Sequence, residues 1–99
     1  MRTWPVERIE SEMRRLQLLR YLASTGRYEA AASVLRMHCT RIGLPTTADQ
    51  LLAALAWLED AELITQRIYA DEPIARLTSA GRDVADGSQL YPGVMRPDP

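Results

Sequence analysis

Apolar residues recur along the first half of the chain with the spacing of amphipathic helices. A first helix is predicted over about residues 6–23 and a second over about residues 29–42. The apolar face of the first helix comprises Ile9, Met13, Leu16, Leu19 and Ala23. Leu18 and Leu22 widen this face, which indicates a helix that is buried on more than one side.

A third helix, predicted to end near Ala61, has the clearest start signal in the chain. Thr47 and Gln50 have capping-box spacing, in which each of the two side chains accepts a hydrogen bond from the other residue's backbone N–H. The predicted core face of this helix comprises Ala48, Leu51, Leu52, Leu55 and Leu58. Because Gly43 and Pro45 end the second helix just before it, these two helices are predicted to form a helix-turn-helix.

The second half of the chain has the pattern of a hairpin followed by a short helix. Residues 63–69 and 74–77 predict two strands, joined by a turn at Asp71-Glu72-Pro73. Thr78 is placed to cap a last helix over residues 79–86, which Gly87 ends. The Pro- and Gly-rich residues 88–99 are predicted to be a non-helical tail outside a domain of residues 1–87.

This order of elements predicts a mainly α fold with a small β-hairpin. We interpret it as a winged helix-turn-helix with a three-helix core, a two-stranded wing and a short C-terminal helix. The length of 99 residues suffices for one domain with one core. The leucines expected in that core are Leu16, Leu19, Leu35, Leu51, Leu55, Leu58, Leu63 and Leu77.

Two segments resemble passages of bacterial winged-helix regulators. Residues 58–64 resemble the L-x-x-x-G-L-I passage from recognition helix to wing, although Glu62 replaces the usual glycine. Residues 77–82 resemble the L-T-x-x-G-R passage from wing to last helix, in which Thr78 caps the helix and Gly81 permits close packing.

A closer resemblance is to a family of small proteins of Mu-like bacteriophages and prophages, often labelled ArsR-like. It extends over roughly residues 10–97 and is carried by residues 55–58, 77–87, 91–94 and 96–97. The resemblance implies a phage or prophage origin. In Mu-like genomes such genes tend to lie near late packaging and morphogenesis genes, and the family has no settled activity. The N-terminus has no signal-peptide pattern, so the cytoplasm of the bacterial host is the expected location.

The charges of the chain are divided unevenly between its two parts. All twelve basic residues are arginine, and the net charge is −1. Residues 1–41 contain eight arginines and four glutamates, whereas residues 42–99 contain four arginines and nine acidic residues. A basic field over the whole protein, which would attract nucleic acid, is therefore absent.

DNA binding and transcriptional regulation are the functions that the predicted fold favours. The candidate contacts are Thr47, Gln50 and Ala53 on the third helix and Arg67 and Arg76 on the wing. However, no basic residue lies between Arg41 and Arg67, and the predicted turn of the wing is acidic. The alternative interpretation of Gln50 is that it caps the helix and contacts no base.

A protein–protein module, such as a phage assembly or packaging accessory, is the alternative function. Ala53, Ala54 and Trp57 are predicted to share one face of the third helix, which would bind a partner or a second copy with help from Tyr91. Equally, Trp57 could pack beneath the hairpin or against Tyr91. The predicted fold slightly favours DNA binding, whereas the residues of the third helix favour a protein partner.

The sequence contains no pattern that predicts catalysis. Cys39 and His38 are the only cysteine and histidine, too few for a structural zinc site, and Cys39 is expected in the core. Paired catalytic acids and glycine-rich phosphate loops are absent from the sequence. No enzyme activity, cofactor, metal or small-molecule substrate is therefore expected, and no apolar run approaches the roughly 20 residues that cross a bilayer.

Overall fold

Four helices and a three-stranded antiparallel sheet make up the computed structural model, which describes residues 6–97. The elements are α1 (Val6–Ser24), β1 (Glu29–Ala31), α2 (Ala32–Arg41), α3 (Ala48–Asp60), β2 (Ile64–Tyr69), β3 (Glu72–Leu77) and α4 (Ser79–Asp86). The strand order β1-β3-β2 places β3 at the centre of the sheet. The prediction of a hairpin is therefore confirmed, but the sheet has one strand more than predicted.

The core lies between the helices and the sheet. It contains all of the predicted leucines: Leu16, Leu19, Leu35, Leu51, Leu55, Leu58, Leu63 and Leu77. Leu18 and Leu22 are fully buried as well, which confirms that α1 is covered on more than one side. Ile9, in the second turn of α1, was predicted on the apolar face but is exposed.

The predicted core face of α3 is wrong at two positions. Leu52 is 47% exposed, and Ala48 is exposed as well. Each residue of a helix is turned by about 100° from the one before it, so Leu52 lies beside the buried stripe and not on it. The core includes Ala54 instead, which is three residues after Leu51 and four before Leu58 and therefore on their face.

The sequence predicted residues 29–31 as the first turn of α2, but in the structure they form strand β1. Ala30 pairs with Ala75 in the centre of the sheet, and the carbonyl of Tyr28 accepts from the amide of Leu77 at 2.7 Å. Tyr28 has a left-handed φ of 60°, which turns the chain out of helical geometry just before the strand. Pairing with β3 thus overrides the local helix preference of Glu29, Ala30 and Ala31.

Both predicted helix caps are confirmed. In α3, the amide of Gln50 donates to Thr47 Oγ1 and the amide of Thr47 donates to Gln50 Oε1, each at 3.0 Å. In α4, Thr78 Oγ1 accepts from the amide of Gly81 at 3.0 Å, and Gly87 ends the helix in the left-handed conformation. Gly81 also permits close packing, because a Cβ there would overlap the carbonyl oxygen of Leu63.

The hairpin turns at Ala70 and Asp71, one residue earlier than predicted. Both residues have positive φ, 52° and 67°, as a two-residue type I′ turn requires. Glu72 and Pro73 therefore belong to β3, where Glu72 pairs with Tyr69 and Pro73 with Ile68. A type I′ turn matches the right-handed twist of the two strands, so placing it at Ala70 and Asp71 sets the register of β2 against β3.

The Pro- and Gly-rich tail returns to the helices after α4. Val94 is part of the core, and Tyr91 and Met95 pack against it. The amide of Met95 donates to the carbonyl of Glu12 on α1 at 3.2 Å. As predicted, the described part of the tail contains no helix, but it packs on the same core as residues 6–87.

Candidate partner-binding surface

The outward face of α3 carries acidic and small residues. Asp49, Ala53, Ala56 and Asp60 follow one another at spacings of four, three and four, so they share one face, and all are exposed. Leu52 lies on the flank of that face. Because α3 has no lysine or arginine, this face combines two carboxylates with a shallow apolar centre.

Thr47 and Gln50, the predicted base-contacting residues, are engaged with each other. Each side chain caps the other's amide, so the bidentate contact of Gln50 with adenine would have to release its Oε1 from the cap of α3. Ala53 is exposed and is free to contact a partner. The geometry therefore supports the capping role for Gln50.

The arginines of the hairpin, and Arg82 at the start of α4, are largely held by neighbouring residues. Arg67 forms an ion pair with Glu29 at 2.7 Å, which ties β2 to β1 across the sheet. Arg82 lies over the ring of Tyr28, 4.9 Å from its centroid. Arg76 is exposed beside these two, and its Cα is paired with that of Glu29. A phosphate would meet Arg76 most directly, because Arg67 and Arg82 already have partners.

The sequence indicated that Glu72 is a free acidic group at the tip of the hairpin, but in the structure its carboxylate is bonded. Its carboxylate accepts from the amide of Ser33 at 2.9 Å and from the Ser33 hydroxyl at 3.2 Å. It thereby caps the N-terminus of α2, where Ala31 has no side chain that could do so. Asp71 alone remains as an exposed charge in the turn.

The tail covers Trp57. The rings of Trp57 and Tyr91 meet edge to face with centroids 5.7 Å apart, and the Arg15 guanidinium lies 4.1 Å from the Trp57 centroid. Arg15 Nη1 also donates to the carbonyl of Gly93 at 2.8 Å. Trp57 and Tyr91 are therefore brought together as the alternative interpretation predicted. Of the predicted partner-binding residues, Ala54 is buried and only Ala53 is freely exposed.

The structure shows exposed apolar side chains that the sequence interpretation missed. On β2, Ile68 is 70% and Tyr69 67% exposed, and on α2, Met37 is 60% exposed. Met37 lies in a shallow groove of about 480 Å³ with Ser33, Arg36, Thr40 and Arg41. The helical spacing of Val34 and Met37, off the stripe of Leu35 and Cys39, was the signal that could have identified this face.

The two buried polar residues of the described chain, Arg14 and Thr46, are bonded to each other. Thr46, in the turn before α3, joins α1 and α2, because its Oγ1 accepts from Arg14 Nε at 2.9 Å and its carbonyl accepts from Arg36 Nε at 2.8 Å. Cys39 is buried as expected, and burial raises the pKa of its thiol. His38 stacks on Tyr21 with centroids 4.4 Å apart. Within residues 6–97 no group of three potential metal ligands occurs, and no helix is long and apolar enough to span a membrane.

A comparison with curated proteins finds similarity to a phage protein. The uncharacterized protein gp26 of Escherichia phage Mu is 34% identical over 91 residues, which cover 92% of this chain and 94% of that protein. This chain belongs to the gp26 family. No family model matches it. Because the match to gp26 covers nearly all of both chains, the helical core and the sheet both belong to the shared part.

Proposed function

We propose that this gp26-family protein is a winged-helix module that binds a protein partner through α3 and the β2–β3 hairpin. Its helix, helix-turn-helix, hairpin and closing helix follow the winged-helix order, which supports placing it with the ArsR-like proteins of Mu-like phages. In this proposal α3 corresponds to the recognition helix and the hairpin to the wing.

The charge of α3 carries the proposal. A DNA-reading winged helix places this helix in the major groove between two rows of phosphates. Here the outward face presents Asp49 and Asp60 and no cation. Such a face is repelled by phosphates, since DNA affinity depends mainly on the neutralisation of phosphates by lysine and arginine.

The apolar residues beside α3 support a protein partner. Gln66 Nε2 donates to Glu59 Oε1 at 2.9 Å, which joins α3 to β2. Leu52 lies two turns before Glu59 on the same side of α3, and Ile68 lies two residues after Gln66 on the same face of β2. The two elements that this hydrogen bond joins therefore each carry a large exposed apolar side chain. Exposed apolar groups on adjoining elements favour a surface that a protein partner covers.

The expected setting is the host cytoplasm during phage production, as the resemblance to Mu-like phage proteins suggests. An accessory role in assembly or packaging fits a small module that holds another protein. In this role the domain supplies a rigid helix and hairpin, and its function requires no cofactor.

Binding to duplex DNA is the first test, measured by fluorescence anisotropy across a range of salt concentrations. We expect affinity no better than the non-specific range of about 10⁻⁴–10⁻⁶ M and a slope of log affinity against log salt shallower than about −3. Asp71→Lys adds a cation at the turn and spares the Glu72 cap, and we expect it to leave binding unchanged. Sequence-specific binding, or clear tightening by Asp71→Lys, would instead support DNA recognition.

Capture of a partner is the second test, in cells that produce a Mu-like phage. Cross-linked partners are compared for wild type, Leu52→Asp, Ile68→Asp and Thr65→Asp. Thr65 is also exposed on β2 but lies on the opposite face from Ile68, so it is the matched control. A protein retained by wild type and Thr65→Asp but lost with the other two supports the proposal. Equal retention by wild type and all three variants contradicts it.

A further inference from the structure

We propose that the partner of α3 is the outward face of α2 on a second copy of this chain. This inference rests on the proposed function and names its partner. The two faces are complementary in side-chain size and in charge, and the sequence places both on every copy.

The α2 face presents an exposed methionine with a cation beside it. Val34, Met37 and Arg41 occur at spacings of three and four, so they form one stripe directed away from the buried residues Leu35 and Cys39. Met37 is the most exposed apolar residue of α2. The stripe therefore presents a flexible apolar side chain with a guanidinium one turn further along.

The α3 face has small side chains at its centre. Ala53 and Ala56 leave a shallow valley, and Asp49 and Asp60 stand one turn beyond either end of it. A methionine side chain fits such a valley because it is unbranched and adapts to irregular surfaces. The apolar centre of α3 thus accepts the kind of side chain that α2 presents.

The charge spacing matches in either direction of approach. Arg41 lies four residues after Met37, just as Asp60 lies four residues after Ala56. Asp49 lies four residues before Ala53, so an antiparallel approach brings Arg41 to Asp49 instead. With Met37 seated over the alanines, the guanidinium therefore meets a carboxylate whether the helices run parallel or antiparallel.

The wider charge distribution has the same complementarity. Residues 20–41 contain Arg20, Arg27, Arg36 and Arg41 against Glu29 alone, whereas residues 42–62 contain four acidic residues and no basic one. Complementary potentials of this kind speed encounter and set the register of the two copies. In a two-fold dimer each contact occurs twice, which doubles its effect.

Sedimentation equilibrium of the purified chain is the test, at low and high salt. We expect a dimer at low salt that dissociates as salt rises, because exposed charge pairs are screened. Arg41→Glu and Met37→Asp should each weaken association by about tenfold or more, since a two-fold contact counts each change twice. Arg96→Glu makes the same charge change on the tail and should have no effect, and thermal melts verify that every variant is folded.

Charge exchange makes the test specific. The variant Arg41→Glu is mixed with Asp60→Arg in one sample and with Asp49→Arg in another. Association should be restored in the first mixture if the helices run parallel and in the second if they run antiparallel. A monomer at all concentrations, or equal behaviour of Arg41→Glu and Arg96→Glu, overturns the inference. A monomer that still captures a different protein through Leu52 and Ile68 leaves the proposed function intact, whereas specific DNA binding refutes that function whatever the oligomeric state.

Discussion

Leu52 and Leu55 are the same residue type on the same helix in opposite environments. Leu55 is fully buried, whereas Leu52 is 47% exposed. Leu55→Ala should lower the free energy of unfolding by roughly 2–5 kcal/mol, because it removes buried methyl groups and leaves a cavity. Leu52→Ala should cost less than about 1 kcal/mol, since its side chain already contacts water. Urea unfolding measures both, and similar losses would contradict this orientation of α3.

Gly93 is the position where the tail requires glycine. Its φ is +97°, and a Cβ would overlap the ring of Trp57. Gly93→Ala should therefore cost at least about 1–2 kcal/mol for the left-handed conformation and should also displace the tail from Trp57. Gly26→Ala is the control, because open space surrounds Gly26. Unchanged unfolding and unchanged Trp57 fluorescence in a Trp4→Phe background would show that the tail does not depend on this glycine.

Single residues were predictable from sequence where their partners are near in the chain. The capping box of Thr47 and Gln50 follows from a spacing of three and needs no tertiary information. For Trp57 the sequence left packing against Tyr91 as one of several alternatives, since helical periodicity shows which way a side chain points but not which distant segment lies there. Glu72 was misjudged for the same reason, because its partner Ser33 is 39 positions away.

At the level of elements, strong periodicity predicted the helices and missed β1. Three residues are too few for a periodic signal, and the local preference of Glu29, Ala30 and Ala31 is helical. Residues 29–31 form a strand because they pair with the edge of β3, which lies more than forty positions later in the chain. The outward face of α3 was predicted only in part, since Ala53 is exposed but Ala54 is buried, and the stripe of Val34 and Met37 on α2 was missed although its spacing is present in the sequence.

The hairpin turn offers a stabilising substitution. Ala70 has a φ of 52°, a conformation that asparagine adopts more readily than alanine. Ala70→Asn should raise the free energy of unfolding by about 0.5–1 kcal/mol, because it relieves the turn without touching the core. Ala80→Asn on α4 is the matched change at an exposed helical site, where it should be slightly destabilising. Calorimetric melting compares the two, and the same sign for both would argue against the type I′ turn.

At the scale of the whole molecule, acid should destabilise the fold through His38. Burial, and then the charge of Arg41, lower the pKa of His38 below its ordinary value of 6.5. His38 therefore takes up a proton more readily in the unfolded chain than in the folded chain. The stability that neutral His38 contributes is complete above pH 6.5 and is lost as the pH falls through the lower pKa of the folded chain. Urea midpoints from about pH 7.5 to about pH 5.5 should decline in wild type and less in His38→Gln. Parallel declines would assign the effect to other groups.

The contact between the tail and α1 should form late in folding. Arg15 and Gly93 are 78 positions apart, so their contact closes a loop that includes most of the chain. Closing so large a loop has a high entropic cost until α1 and α3 are already packed, which makes tail docking a late event in folding. The same segment is held by few backbone hydrogen bonds and should open before the core does. The amide protons of Val94 and Met95 should accordingly exchange with solvent earlier than those of Leu55 and Leu58.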